Sequence, residues 1–474
     1  MKWIPRQKIW LTLMIVTNLA LWIIPSDVVE KIAREQHVLL GRYSRQHFMW
    51  ILAMLILTPV SFYVDWSTGD TYKKRWFQVL VTLLILAPVF LLADFLVRSP
   101  QSDHYVRDSA AYHRPPNADF TVTFEDKPAA ARSYPSNRPG YGTVQCQLHT
   151  DSRGYRNQTD NDRYDVVVLG DSFAEGSSVS DEHVWPVQLA KETGLSVYNL
   201  GMSGYDPFHY LESLKERGLA LQPRFVVCLL YEGNDFRSAK TDAKRHNPSF
   251  SKKLGAYFGR SAILNGLENL IINTFGPINS RGTVSGGDVL AWMPLAVPVG
   301  ENANYYAFAP KQLRDLYESR EQFSRDKHWL NPRRQIADMN RLCREAGIEF
   351  VLVFAPLKAH VVLPAAADRL EPNQLRSFLK LHYKKDLPEA DTFLASLMQN
   401  MTARDQVVGE WCERESISYI SATESLRLAA LEGTQVYYTY DQHWTPDGHA
   451  VVSDTVADFL RKRQSRENVG ADKG

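Results

Sequence analysis

Three apolar runs crowd the first hundred residues, at 9–24, 48–64 and 76–97. A hydrocarbon core takes roughly 20 apolar residues of helix, with about 17 as the short limit. The third run meets that length despite Asp94 near its end. The first two are short, with Trp3, Trp50, Tyr63 and Trp66 placed for the headgroup level. The pattern predicts a membrane anchor of three transmembrane helices over 1–98. A cleaved signal peptide is the competing reading of the first run, because Lys2, Arg6 and Lys8 precede it. No small-x-small cleavage site comes after it, however, and two more apolar runs do. The composition of 26–47 is compatible with an amphipathic helix lying on the membrane surface.

Beyond the anchor the rhythm changes twice. Residues 99–160 are rich in Pro, Ser, Asn, Tyr and Arg and read as a linker and lead-in. This segment becomes ordered towards Gly154-Tyr155-Arg156-Asn157, which would tie it onto the first strand of the next domain. Short β-branched runs then alternate with helical patterns. Strands are predicted at 164–169, 196–200, 224–231, 349–354 and 418–420, and helices at 185–193 and 207–221. Two further helices end at Gly347 and Ser416. Such alternation means parallel pairing in a sheet covered on both faces. An α/β domain over 161–462 results, with a polar tail at 463–474. The stretch 237–330 breaks the pattern, with a Gly-rich piece at 281–288 and a helical pattern near 263–272. It reads as an insertion, equally a lid or membrane-docking surface and passive decoration.

Among the 474 residues, 54 Lys and Arg balance 53 Asp and Glu. That near-neutrality argues against a nucleic-acid partner, which calls for a basic excess. The balance hides a division: 11 basic and 6 acidic residues over 1–98 leave 43 and 47 for the remainder. With Lys2, Arg6, Lys8, Lys73, Lys74 and Arg75 on the cytoplasmic side, three spans carry the α/β domain out of the cytoplasm, as a multi-pass protein of a bacterial inner or plasma membrane. Four cysteines make no disulfide scaffold, and no C-x-x-C pair is present. Cys228 reads as a core residue. Cys343 and Cys412 lie on helices before consecutive strands, where a disulfide is conceivable outside the cytoplasm.

Unusual polar groups stand at the strand ends, where open α/β sheets bind ligands. The first strand runs into Gly170-Asp171-Ser172-Phe173, the second into Gly201-Met202-Ser203-Gly204, and the third into Glu232-Gly233-Asn234-Asp235. Near the C-terminus stands Asp441-Gln442-His443-Trp444. A serine hydroxyl becomes a nucleophile when a neighbouring base takes its proton. Ser172 is the candidate nucleophile, His443 the base and Asp441 the group that orients the imidazole. The backbone N–H groups of Ser172 and Gly204 and the side-chain amide of Asn234 are candidate oxyanion donors. Each piece also has an ordinary reading: Asn234 and Asp235 as cap or turn residues, 441–445 as a solvated loop, and Asp171 as a residue that orders the turn. No G-x-S-x-G elbow, H-E-x-x-H zinc motif or complete dinucleotide loop offers a rival. A serine mechanism without cofactor or metal remains.

In these blocks the chain resembles the SGNH/GDSL hydrolase superfamily over roughly 160–462. GDSF carries the nucleophile as Ser172, NLGMSGY the oxyanion glycine as Gly204, EGND the oxyanion asparagine as Asn234, and DQHWTPDGH the acid and base as Asp441 and His443. The resemblance implies a three-layer sandwich around the parallel sheet. The superfamily usually places two residues between its final Asp and His, whereas one separates Asp441 from His443. That D-x-H-W form is similar to the SGNH-like proteins of bacterial exopolysaccharide O-acetylation, and it leaves His449 as a rival base. The implied function is a membrane-anchored esterase or O-acyltransferase acting on acyl, chiefly acetyl, esters of an envelope or exopolysaccharide glycan. A polytopic membrane acyl-donor protein is the implied partner. A lipase or thioesterase, and a catalytically silent glycan-binding scaffold, are the alternatives.

Overall fold

The computed structural model describes residues 5–24, 37–39, 43–65, 70–97, 105–106, 111–126, 140–237, 263, 270, 293–380, 383 and 385–471. They fall into two compact units. The first holds the described residues up to 97 together with 263 and 270, and the second holds the others.

Among its described residues the first unit has the helices α1 (Pro5–Ile23), α2 (Arg45–Asp65) and α3 (Asp70–Val97). Among the described residues one stretch, Asp70–Asp94 in α3, is long and apolar enough to cross a membrane, whereas Ile9–Ile23 and Trp50–Val64 are shorter. At 1.5 Å per residue the 25 residues of the long stretch rise about 37 Å, enough for a core about 30 Å thick. The apolar part of α1 rises only about 22 Å by the same measure. The expectation of three spans therefore reduces, on length, to one clear candidate and two short apolar helices. Most of the 26–47 segment, where a surface helix is expected, lies outside the described residues. Its described part contains an antiparallel pair, His37–Leu39 with Tyr43–Ser44, before α2 begins.

The second unit is mixed α/β around a five-stranded parallel sheet. Its strands are β1 (Val166–Leu169), β2 (Val197–Asn199), β3 (Phe225–Tyr231), β4 (Glu349–Ala355) and β5 (Ser418–Ser421), in spatial order 2-1-3-4-5. All of β1 and all of β3 are buried, as a sheet covered on both faces requires. The predicted helix at 185–193 forms as Trp185–Thr193, with Pro186 in its first turn and Gly194 in the left-handed conformation ending it. The one expected at 207–221 is regular only over Pro207–Ser213. It then widens over Leu214–Gly218, where a glycine weakens the helical ladder.

Two antiparallel ribbons accompany this sheet, one before β1 and one between β3 and β4. Asp119–Glu125 pairs antiparallel with Thr143–His149 inside the expected linker. Both strands alternate apolar and polar residues, a pattern obscured by the Pro- and Ser-rich chain around them. Within the expected insertion, Met293–Val299 pairs with Asn302–Phe308, and the helices Pro310–Tyr317, Arg320–Arg325 and Lys327–Glu345 come next. The insertion thus gives way to regular structure well before 330. Its Gly-rich piece, and all of its 263–272 pattern but 263 and 270, lie outside the described residues. Cys146, Cys228, Cys343 and Cys412 are buried free thiols, so the conceivable Cys343–Cys412 disulfide is not formed. Burial pushes the thiols of Cys343 and Cys412 up to about 12.

Candidate active site

Strand order decides where the polar loops meet. The chain leaves β1 for β2 on one side and then crosses to β3 on the other, so the direction of winding reverses between β1 and β3. That reversal opens a crevice beyond the carboxyl ends of these strands. Ser172 comes after β1, Gly204 after β2 and Asn234 after β3. The three therefore stand at the ends of three adjacent strands.

The turn that carries Ser172 is held from within. A Cβ on Gly170 would lie 2.6 Å from the Cβ of Ala174, so the chain turns there only without a side chain. Asp171 is fully buried and caps the short turn Ser172–Glu175: its Oδ1 accepts from Phe173 N at 2.9 Å, and its Oδ2 accepts from Asn234 Nδ2 at 2.9 Å. Burial pushes the Asp171 carboxyl up, and these hydrogen bonds act against that push. The Arg156 guanidinium clasps the outer side of the turn. It donates to the carbonyls of Glu175, Gly176, Val179 and Gln147 and pairs with Asp181. Asn157 secures the end of β2, accepting from Asn199 N at 2.7 Å and donating to Asn199 O at 3.2 Å. The lead-in 155–157 thus braces two of the three loops.

Asp441 and His443 come from a tight loop closed by the bridge Tyr437↔Trp444 and by Tyr438 N donating to His443 O at 3.1 Å. Trp444 is buried edge-on to Phe173 at 4.8 Å, and Phe173 lies 4.8 Å from the His443 ring. This apolar seat brings His443 to the nucleophile turn. His443 Nε2 is 2.7 Å from Ser172 Oγ, and Nδ1 is 2.5 Å from Asp441 Oδ1. The same carboxylate oxygen accepts from His443 N at 2.8 Å. With the proton on Nδ1 facing Asp441, Nε2 is left to accept from the Ser172 hydroxyl. Burial presses the His443 pKa down, but the hydrogen bond and charge of Asp441, with the charges of Asp171 and Glu175, raise it above the ordinary imidazole value. Burial would raise Asp441, yet the His443 ring and the charge of Lys358 hold it at about 2.

His449 faces Trp185, whose backbone N donates to its Nδ1 at 3.4 Å, and Trp444, edge-on at 5.5 Å. Burial, reinforced by the positive charge of Arg156, drives its pKa well below the ordinary value, as befits a neutral core histidine. Asp235 accepts from Tyr231 N and from the Tyr210 hydroxyl and heads the turn Asp235–Arg237, which is the ordinary reading of that residue. Asn234 gives one N–H to Asp171, which leaves the other N–H of that nitrogen. Gly204 has φ +83, and a Cβ on it would lie 2.9 Å from the Tyr112 hydroxyl. Its residue type is explained by both the conformation and the close approach.

Sequence reasoning missed a second layer. Glu175, buried beside the nucleophile, pairs with Arg114 and accepts from Ser203 N at 2.9 Å, while the Tyr112 hydroxyl donates to Ser203 O at 2.9 Å. These contacts bind residues 111–115, expected as linker, to the loop that carries Gly204. The visible signal is a glutamate inside GDSFAEG, in a turn that should be buried. Among the described residues no group of three His, Cys, Asp or Glu side chains is arranged to hold a metal ion.

No family model matches the chain, and no curated protein matches it. Similar solved structures include a GDSL-like lipase from Bacteroides thetaiotaomicron, 11% identical, with a TM-score of 0.28 over 63% of this chain and 88% of that one. A catalytic mutant of an acetylxylan esterase from Geobacillus stearothermophilus is 10% identical, with a TM-score of 0.30 over 62% of this chain and 92% of that one. An α/β hydrolase enzyme from the metagenome of Lake Arreo, Spain, is 10% identical, with a TM-score of 0.29 over 61% of this chain and 92% of that one.

Proposed function

We propose that the chain is a serine-dependent enzyme acting on ester bonds, of SGNH type. The observation that carries this reading is the continuous line Asp441–His443–Ser172, at 2.5 and 2.7 Å, at the winding reversal of the sheet. In the reaction Ser172 Oγ attacks the ester carbonyl while His443 Nε2 takes its proton. Asp441 steadies the imidazolium that forms. The Ser172 and Gly204 N–H groups and the free N–H of Asn234 receive the developing oxyanion. His443 then returns the proton to the departing alkoxide, leaving an acyl-serine. Water or a sugar hydroxyl, deprotonated by the same histidine, releases the acyl group.

An acylated carbohydrate suits this chain better than a lipid. A cavity of about 490 Å³ begins at Gly233, beside Asn234, and is lined by Phe236, Tyr317, Tyr383, Glu318 and Arg404 among others. Ser172 and His443 do not line it, so it would take a part of the substrate remote from the scissile bond. Arg404 is buried, stacks 5.1 Å over Phe323 and donates to Glu318 at 3.0 Å. Its Nε has no partner among the described residues. Charged pairs beside aromatic faces match a polyhydroxylated ligand and disfavour a long acyl chain. The apolar helix α3 supports a membrane setting, with acetyl esters of an envelope or exopolysaccharide glycan outside the cytoplasm as the substrates. Turnover of a chromogenic acetyl ester by the purified full-length protein tests the core of this reading. Activity is expected in the wild type and a loss of at least about a thousandfold in Ser172→Ala. Equal rates would dismiss the serine mechanism.

A further inference from the structure

Lys358 and Asp126 lie far from the nucleophile in sequence, and the esterase reading leaves both unused. Lys358 comes after β4 and is fully buried. Its Nζ donates to three backbone carbonyls of one loop: Tyr438 at 2.9 Å, Thr439 at 2.8 Å and Asp441 at 2.7 Å. Asp126 comes after the ribbon strand Asp119–Glu125 and is also buried. Its Oδ1 accepts from Tyr440 N at 2.9 Å and Asp441 N at 3.1 Å, and its Oδ2 from Thr439 N at 2.7 Å and Tyr141 N at 2.7 Å. The buried Lys358 side chain thus takes carbonyls of the 438–441 backbone, and the buried Asp126 side chain takes its N–H groups.

A buried charge is tolerated only where polar groups satisfy it, and here the satisfying groups are the peptide units that end in Asp441. Loops are mobile by default because little holds their backbone. This one is gripped at its carbonyls by Lys358 and at its N–H groups by Asp126; burial pushes the Lys358 ammonium down to about 7, and the nearby charges of Asp126 and Asp441 act against that push. We infer that Lys358 and Asp126 are positioning residues, forming a backbone clasp that sets Asp441 against His443. The inference rests on the reading of Ser172, His443 and Asp441 as a triad. Asp441 holds the proton on His443 Nδ1 and raises the ring's basicity, so a loosened clasp yields a less basic imidazole. The other charged or titratable groups acting on that ring are Asp171 and Glu175 from the nucleophile turn and His449 from the terminal helix. None of the three is altered in the clasp variants.

The test uses the full-length protein and three readouts: kcat and KM for a chromogenic acetyl ester, the pH profile of kcat/KM, and the His443 ring titration tracked by NMR. Lys358→Met is expected to cut kcat about 10–100-fold, with KM changed less than about twofold. Both the acidic limb of the profile and the ring titration should move to lower pH. Asp126→Asn keeps the volume but loses acceptor capacity, and is expected to move the same quantities in the same direction. Lys358→Arg, which keeps the charge and the donors, should restore part of kcat. An unmoved ring titration in folded Lys358→Met and Asp126→Asn overturns the clasp, as does activity lost only in proportion to unfolded protein in both. Failure of the triad reading looks different: Ser172→Ala as active as wild type, whatever the clasp variants do to the ring.

Discussion

The proposed mechanism gathers its chemistry into one side chain, His443. The imidazole must be neutral to accept the Ser172 proton, so activity rises as pH climbs through its pKa, which lies above the ordinary imidazole value. Asp441 is the chief cause of that elevation. Asp441→Asn should therefore shift the acidic limb of kcat/KM to lower pH while depressing the plateau, a combination that a pH–rate series resolves. Ser172→Ala and His443→Ala should each abolish turnover to a similar floor, and the double variant should fall no further, because nucleophile and base act as a unit. His449→Ala, by contrast, should cost stability and leave the acidic limb where it is. Asn234→Ala is expected to lose roughly two to three orders of magnitude in kcat if its free N–H meets the oxyanion. Near-full turnover in that variant would leave Asn234 as the partner of Asp171 and nothing more. These residues can be picked out of the sequence because each sits in a short block at a strand end. Lys358 and Asp126 cannot, since their partners are backbone atoms 83 and 314 positions away, and no side-chain spacing records such a contact.

At the scale of elements, the five strands are readable because a strand buried on both faces leaves a nearly continuous apolar run, as FVVCLLY does in β3. The ribbon Asp119–Glu125/Thr143–His149 is not, although DFTVTFE and TVQCQLH alternate cleanly. Its strands are largely exposed, and the energetic reason for them lies elsewhere: Phe124 and Tyr141 pack on Tyr438, 4.8 and 5.0 Å between ring centres. The lead-in triplet 155–157 is legible as a structural tie, and Arg156 shows how such a tie works. Five acceptors converge on one guanidinium, and each would be left without its donor if the arginine were removed. Arg156→Met should cost about 3–5 kcal/mol, the scale of breaking a buried ionic network from one side. A depressed Tm together with faster proteolysis near 175–181 would register the loss. A wild-type melting curve would show that the five contacts are dispensable. Since the turn it braces carries Ser172, activity should fall before the variant unfolds completely.

For the whole molecule the open matters are sidedness and the fate of the acyl group. Lys73, Lys74 and Arg75 stand at the start of α3, and positive flanks stay on the cytoplasmic side. A reporter fused after residue 474 should then report from outside the cytoplasm, and a cytoplasmic signal would move the substrate pool inside the cell. In the proposed reaction the acyl group can go to water or to a sugar, with Ser172, His443 and Asp441 shared between the two outcomes. What separates them is how long the acyl-serine survives, and therefore how well water is kept from it. The hairpin Met293–Val299/Asn302–Phe308 is joined to the loop that carries Asp441 and His443 and to the chain before it: Ala307 N donates to Thr439 O at 2.7 Å, and Asn304 Nδ2 donates to Gly433 O at 2.9 Å. The segment expected as an insertion is thus tied to the loop that carries Asp441 and His443, as a water-excluding wall would need to be. Transfer is the expected outcome when a carbohydrate hydroxyl is present. Incubation with an acetyl-ester donor and candidate oligosaccharides should produce sugars heavier by one acetyl group in place of a hydrogen, read directly in mass spectra. Loosening the hairpin at its second anchor, Gly433, with Asn304→Ala should raise the ratio of free acetate to acetylated sugar. Free acetate alone from the wild type, with no sugar gaining mass, would define the protein as an esterase and leave the hairpin a merely structural brace.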